Sequence, residues 1–386
     1  MNFVSKTSSQ IALFCVISSV GCVKLPGFLR KIYMKAAVLT GLRKMEIVDV
    51  PKPSIKEGGD VLLKIAVVGV CGSDVHYYRN GRIGSQIVQY PYLIGHECSA
   101  TVEAVGKKVK TVKPGNEVAV EPAVSCHKCP QCKMGRENTC YELKFLGTPG
   151  PPTKTFEGRE DNGCLCEYIV MPEECCLPTK GRLSLEEAAL CEPFAIGVYT
   201  VRQSRLTKGT KAAIFGSGPI GLSCLVAAKI QGAETVYVTD KLDYRVDFAK
   251  KTGATWVGNP DREDIVASIL KREPLGVDVA YECAGQQQTI DQAVDLLRPG
   301  GVLMLVGIPE EERIGFAIDH TRRKEITIIN VRRQNRCAEE AIELVAKGKA
   351  KIASFATHRF KLEQAKDAFE LVADYSDGVI KAMIEL

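Results

Sequence analysis

The 386-residue sequence contains no run of lysine and arginine, and its formal net charge is only +5. Four of those charges, Lys6, Lys24, Arg30 and Lys31, lie in the first 33 residues, where there is no acid. The rest of the chain is close to neutral, which argues against nucleic acid or an anionic membrane as its partner. No internal repeat or low-complexity tract is visible. The apolar run Ile11 to Val23, "IALFCVISSVGCV", is too short to span a bilayer, although it matches the core of a signal peptide in length. We read residues 1–33 as a leader or disordered extension, with Met34 as the functional beginning. Histidine is scarce, with five in the whole chain, so each one is informative.

Cysteine is plentiful. Sixteen cysteines run from Cys15 to Cys337 in a chain that is 45% hydrophobic and holds 34 glycines. A chain of this length folds as about two domains of roughly 100 to 200 residues, each burying its own core, and does not need disulfides to hold it. Widely scattered thiols point to a reducing compartment, and so to the cytoplasm. Four of them crowd into "CHKCPQCKMGRENTC", residues 126 to 140, at the spacing CxxCxxCx7C. A disulfide knot, a redox switch and a metal cage are all compatible with that count.

From Met34 to about Glu121, short β-type runs such as "DVLLKIAVVGV" and "NEVAVEP" are broken by Gly, Pro and Asn, the pattern of a β-rich domain. From Lys211 to Val331, the apolar runs "AAIFG", "TVYVTD", "VDVAYECAG" and "VLMLVGI" alternate with amphipathic helical segments. That alternation predicts βαβ units and a parallel sheet covered on both faces. The tail from Cys337 offers two helical patterns and a last strand, "KAMIEL".

Gly216, Gly218 and Gly221 form GxGxxG after a strand and at the start of a helix, where a dinucleotide diphosphate can sit on free N–H groups. Asp240 follows 19 residues after Gly221, at the end of the next strand. A carboxylate there accepts from the adenosine ribose hydroxyls and repels a 2′-phosphate, so NAD is expected rather than NADP. Lys241 and Arg245 stand nearby and work against that preference.

Cys71 in "GVCGSDVHYY" and His96 in "LIGHECSA", 25 residues later, are sound zinc ligands. A third ligand is needed, and both Glu97 and Glu192 are candidates.

On "GVCGSDVHYY", "NGRIGSQIVQYPYLIGHE", "VKPGNEVAVEP", "CEPFAIG", "GSGPIG" and "THRF", the chain from Met34 to Leu386 resembles the zinc-dependent medium-chain dehydrogenases, specifically the sorbitol (polyol, xylitol) dehydrogenases. The resemblance implies an α/β protein: a GroES-like β-barrel catalytic domain (34–190), a doubly wound Rossmann domain (191–331) and a C-terminal return to the catalytic domain (332–386). It implies Cys71, His96 and Glu97 as ligands of a catalytic zinc, with Glu192 binding directly or through water. Cys191 is a rival whose register is off by one. Pro219, Ile220, Arg245, Val306 and Gly307 join the three glycines and Asp240 as cofactor contacts. Ser73 would take the substrate proton, relaying it towards His76 or solvent. Tyr77, Thr148, Arg333 and Gln334 fall on substrate-pocket positions.

Two departures from the animal enzymes, Gln334 in place of tyrosine and the insert at 150 to 161, bear on which polyol is bound. Cys126, Cys129, Cys132 and Cys140 read as a closed all-cysteine structural zinc site, giving two zincs per subunit. Mammalian-type sorbitol dehydrogenases lack this lobe, so it points to a microbial polyol-type enzyme. The implied activity is NAD-dependent oxidation of a polyol to a ketose by a homo-oligomer, either tetramer or dimer. Competing expectations are a relative acting on threonine, a diol or a sugar acid, and a non-catalytic structural or metal-buffering protein.

Overall fold

The computed structural model describes residues 32–149 and 163–386. The expected insert, and all of the expected leader except Ile32 and Tyr33, lie outside the described residues. Tyr33 already belongs to the first strand, Tyr33–Gly41, which forms an antiparallel hairpin with Lys44–Pro51.

Two sheets organise the chain. The first has seven strands, in the order Cys176–Pro178, Glu117–Val120, Glu97–Val105, Asp60–Gly69, Lys381–Glu385 and Ala356–Lys361, with Tyr168–Pro172 also paired to Asp60–Gly69. Asp60–Gly69 is nearly all apolar because it is central and buried along most of its length. The last strand, Lys381–Glu385, pairs with it across the whole sequence and returns the chain to this sheet. This is the GroES-like half.

The second sheet has six parallel strands, in the order Trp256–Gly258, Thr235–Thr239, Lys211–Phe215, Val277–Glu282, Leu297–Leu305 and Thr327–Asn330. That is the doubly wound Rossmann order, and its switch point falls between Lys211–Phe215 and Val277–Glu282. The helix Pro219–Gln231 packs on one face through Leu222 and Leu225. Ile265–Leu270 and Gln287–Leu296 cover the other face with Ile269, Ile290 and Val294.

The helix Leu185–Gln203 joins the two halves. A Ser184/Glu187 capping box starts it. Its apolar residues Leu190, Phe194 and Val198 share one core with Val67 and Ala119 of the first sheet and with Leu222 of the glycine-loop helix. Gly197 permits the close crossing, since a Cβ there would strike the Ser223 backbone. Glu192 is therefore held on a rigid element between the two sheets. Among the described residues no helix is long and apolar enough to cross a membrane.

Candidate active site

Cys71 ends the turn after Asp60–Gly69 and is the N-cap of the helix Gly72–Asn80. Ser73 Oγ donates to Cys71 Sγ at 3.3 Å. His96 lies just before the strand Glu97–Val105, after Gly95 at φ 98°, and Glu97 opens that strand. The ligand atoms of Cys71, His96 and Glu97 all lie within 4.8 Å of one another. Three residues from two separate segments thus converge as expected.

Sequence reasoning missed the groups that hold them. Asp74 is fully buried; its Oδ1 accepts from the Gly95 N–H at 3.3 Å and lies 3.3 Å from His96 Nδ1. That second approach is a charge contact rather than a well-formed hydrogen bond, and it orients the imidazole from behind. Lys381 is also fully buried and donates from Nζ to both Glu97 oxygens, at 2.8 and 2.6 Å, and to the Val70 carbonyl at 3.2 Å. Asp74 sits inside the quoted motif "GVCGSDVHYY", but nothing there reveals the direction of its side chain. Lys381 gives no local signal because its partner is 284 residues away.

Glu192 lies outside the 4.8 Å cluster, yet it is buried and its Oε2 has no partner. Burial, opposed by His96 and reinforced by Glu97 and Glu121, pushes its carboxyl up to about 8. Asp74 Oδ2 is likewise buried and unpartnered. Carboxylates and a thiol this concentrated in a buried site call for compensating positive charge beyond Lys381. A divalent zinc with one sulfur, one nitrogen and one oxygen donor fits that need. Cys191 does not serve it: it packs in the core, where burial pushes its thiol up to about 12.

On the substrate side, the Arg333 guanidinium lies over the Phe145 ring, 3.6 Å from its centroid, and Phe145 in turn packs on His96 at 5.2 Å. Burial, with Arg332 nearby, lowers Arg333 to about 10 against the opposing pull of Tyr77, Glu192 and Glu121. Tyr77 is buried, has Thr148 as a hydroxyl neighbour and donates to Gln86 Oε1 at 3.3 Å. Gln334 is engaged at both ends, donating to Glu121 and accepting from the Cys337 N–H at 2.8 Å. Glu121 is a further residue that the sequence did not single out; burial pushes it up to about 7. His76 Nδ1 is 4.0 Å from Glu310, and burial lowers the ring below its ordinary value.

The glycine loop has the form its spacing predicts. Gly216 is left-handed at φ 89°, and a Cβ on Gly221 would collide with the Gly216 carbonyl. Gly218 caps the helix that Pro219 and Ile220 open. Asp240 accepts from the Ser217 N–H at 2.8 Å and from the Leu242 N–H at 3.0 Å, while Arg245 Nη1 stands 3.8 Å away. Val306 and Gly307 extend from the carboxyl end of Leu297–Leu305 and donate to the Glu282 carbonyl at 2.8 and 2.9 Å, placing them at the mouth of the same crevice.

The second thiol cluster is separate. Cys126, Cys129, Cys132 and Cys140 form one group, with Sγ separations of 4.0 Å (126 to 132), 3.5 Å (129 to 132) and 3.8 Å (129 to 140). A tetrahedral site with Zn–S bonds of about 2.3 Å has sulfur edges of about 3.8 Å, so the residues fit zinc. Backbone N–H groups of Cys126 and Glu142 donate to Cys140 Sγ at 3.4 and 3.3 Å, and that of Cys129 donates to Cys126 Sγ at 3.4 Å. Every described cysteine is a free thiol.

A barrel carrying a mixed Cys/His/Glu cluster, beside a glycine loop at the switch point of a Rossmann sheet, defines a class: the zinc-dependent medium-chain dehydrogenases. Residues 57–181 match the family model for the alcohol dehydrogenase GroES-like domain, and residues 219–347 match that for zinc-binding dehydrogenase. The chain belongs to this zinc-binding alcohol dehydrogenase family. It is 38% identical over 352 residues to a sorbitol dehydrogenase of Bacillus subtilis (strain 168), covering 91% of this chain and 97% of the relative. It is 35% identical to an L-idonate 5-dehydrogenase of Vitis vinifera, covering 91% and 94%. A zinc-binding dehydrogenase from Sinorhizobium meliloti 1021, solved bound to NADP, superposes with a TM-score of 0.82 at 28% identity, covering 92% and 99%.

Proposed function

We propose that this chain is an NAD-dependent zinc dehydrogenase that oxidises a secondary hydroxyl of a polyol to a ketone, releasing NADH and a proton. The observation that carries the substrate class is the half-buried Arg333 guanidinium, which lies over the Phe145 ring, itself packed at a tilt against His96. A half-buried donor fork with Tyr77 and Thr148 nearby suits a substrate with hydroxyls flanking the reacting carbon. A simple alcohol would leave those groups unpaired. The sorbitol dehydrogenase relative supports the same reading.

Cys71, His96 and Glu97 would hold the catalytic zinc, with Glu192 the competing carboxylate, and the four cysteines a structural one, two per subunit. When bound, the first zinc supplies Lewis-acid activation of an alcohol oxygen and the nicotinamide supplies a hydride acceptor. The chain's own residues do the rest. Ser73 Oγ, next to Cys71, accepts the substrate proton and passes it towards His76 or solvent. Asp240 selects NAD by accepting from the ribose and repelling a 2′-phosphate. Gly216 to Gly221, with Val306, Gly307 and Arg245, seat the dinucleotide.

The catalytic unit is proposed to comprise 34–190 and 332–386, and the NAD-binding unit 191–331. The free thiols support a cytoplasmic protein. The outer strand Thr327–Asn330 has a single neighbour in its sheet and offers an edge for a homo-oligomer.

A sugar acid is the second reading, favoured by the cationic Arg333 and by the idonate-acting relative. Initial rates of NADH formation over sorbitol, xylitol, threonine, butanediol and aldonates, repeated with NADP, test the proposal. The highest kcat/KM should fall on a polyol with NAD. A best rate on an aldonate establishes the second reading, and NAD binding without turnover of any alcohol rejects both.

A further inference from the structure

The four-cysteine lobe makes contacts that go beyond closing a loop. Between Cys132 and Cys140 it presents Gly135, Glu137 and Asn138, and all three reach into one distant segment, 332 to 336. Asn138 is buried and donates from Nδ2 to the Arg332 carbonyl at 3.0 Å and to Tyr199 Oη at 3.3 Å. The Gly135 carbonyl accepts from Asn335 Nδ2 at 2.8 Å, and Glu137 pairs with Arg336. The segment they grip is strained: Arg333 and Arg336 both have left-handed backbones, at φ 55° and 54°. Residues other than glycine stay in that region only when their surroundings impose it.

The same lobe also controls the far end of the Arg333 side chain. Just outside Cys126 and Cys140, the strands Ala123–Val124 and Lys144–Phe145 pair and close the base of the lobe. Phe145 is the ring on which the guanidinium rests. Glu121, two residues before that base, holds Gln334. Backbone, guanidinium and next side chain are therefore all fixed by residues 121 to 145.

We infer that the four-cysteine lobe is the positioning device for Arg333, with Asn138 as its central positioning residue, so that the second metal site acts on substrate recognition as well as on folding. This rests on the proposed role of Arg333 in holding the polyol.

The test uses the full-length, zinc-loaded enzyme and the variants Asn138→Ala, Arg333→Ala and the double substitution. KM and kcat are measured for the preferred polyol, kcat/KM for 2-butanol, which lacks flanking hydroxyls, and KM for NAD. Asn138→Ala should raise the polyol KM about 10-fold, the loss of one well-placed interaction. It should leave two zincs bound, with NAD KM and the 2-butanol kcat/KM unchanged. The double variant should be no worse than Arg333→Ala alone, because both act through the same guanidinium. Asn335→Ala, which removes the neighbouring grip, should shift the polyol KM in the same direction and serves if Asn138→Ala does not fold.

A polyol KM raised by Arg333→Ala but not by the lobe variants overturns the inference and leaves the proposed function standing. Parallel losses on polyol and 2-butanol, or additive effects in the double variant, also overturn it. If Arg333→Ala itself leaves the polyol KM unchanged, the role of Arg333 falls first and the inference with it.

Discussion

Replacing Lys381 with methionine removes the ammonium that neutralises Glu97, a partner held at 2.6 Å with both side chains about 2% exposed. Burial pulls Lys381 down, while Glu97, Cys71 and Glu192 pull it up, and the balance leaves it raised. Its contribution is therefore fully present below the ordinary lysine value near 10.4 and is lost only as pH rises through the folded value, so it is intact at neutral pH. Breaking a buried pair by deleting one partner costs about 3–5 kcal/mol, because the orphaned charge stays buried. In zinc-free protein, urea unfolding of Lys381→Met should show a loss of that size. In zinc-loaded protein the loss should be smaller, since the metal takes over the neutralisation of Glu97. Adding Glu97→Gln to Lys381→Met should recover much of the zinc-free loss, giving a large coupling energy. A zinc-free loss below about 1 kcal/mol, the range of exposed pairs, would refute the buried pair. Equal losses with and without zinc would refute Glu97 as a ligand.

Other perturbations probe separate parts of the site. Glu121, raised by burial to about 7, stays protonated in the folded chain between its ordinary value of 4.5 and 7 while the unfolded chain ionises. Folding stability should therefore fall as pH rises through that window, by about 3 kcal/mol in total. Glu121→Gln should reduce the slope in urea titrations of zinc-free protein from pH 4 to 8, leaving the part that Glu192, raised to about 8, contributes in the same sense, and an unchanged slope contradicts the assignment. Asp240→Asn removes the charge that opposes a 2′-phosphate and leaves Arg245 to receive it. The NAD-over-NADP ratio of kcat/KM should fall about 10- to 100-fold, and a constant ratio would show that Asp240 does not select the cofactor. Gly69 pairs with Glu97 across the sheet, and a Cβ there would strike Glu97 Oε2. Gly69→Ala should weaken zinc at this site by about 10- to 100-fold, as loss of an outer-shell support does. Competitive chelator titration reads it, and wild-type affinity would show that Glu97 is dispensable.

How much was legible in the sequence depended on the reach of each signal. The glycine loop and its Asp240 were readable because strand, turn, helix and strand follow one another within about 30 residues, the length of a βαβ unit. The four-cysteine spacing is local in the same way. Cys71 and His96 were readable as ligand types in glycine-flanked turns, but the identity of the third ligand was not, since Glu97 and Glu192 come from different elements and meet only in the fold. Glu97 joins the 4.8 Å cluster and Glu192 stands outside it, buried with an orphaned oxygen. Cys191 illustrates the limit of register: one residue along the helix Leu185–Gln203 turns the side chain from the site into the core. Lys381 and Asp74 were invisible because a buried charge is recognised only by its partner, and Lys381 pairs with a residue 284 positions away. The return of Lys381–Glu385 to the first sheet, antiparallel to Asp60–Gly69, is a long-range pairing of the same kind.

The most direct measurement follows zinc content and polyol oxidation together as a chelator strips the metal from the folded enzyme. On the proposed assignment the four-thiolate site would be closed and the mixed site open, so the mixed-site zinc should leave first. The account predicts that NADH formation disappears in proportion to the first zinc lost per chain, and that Cys71→Ser protein holds one zinc and shows no turnover. Polyol oxidation that persists after the first zinc has gone, or in Cys71→Ser protein with a single zinc, would contradict it.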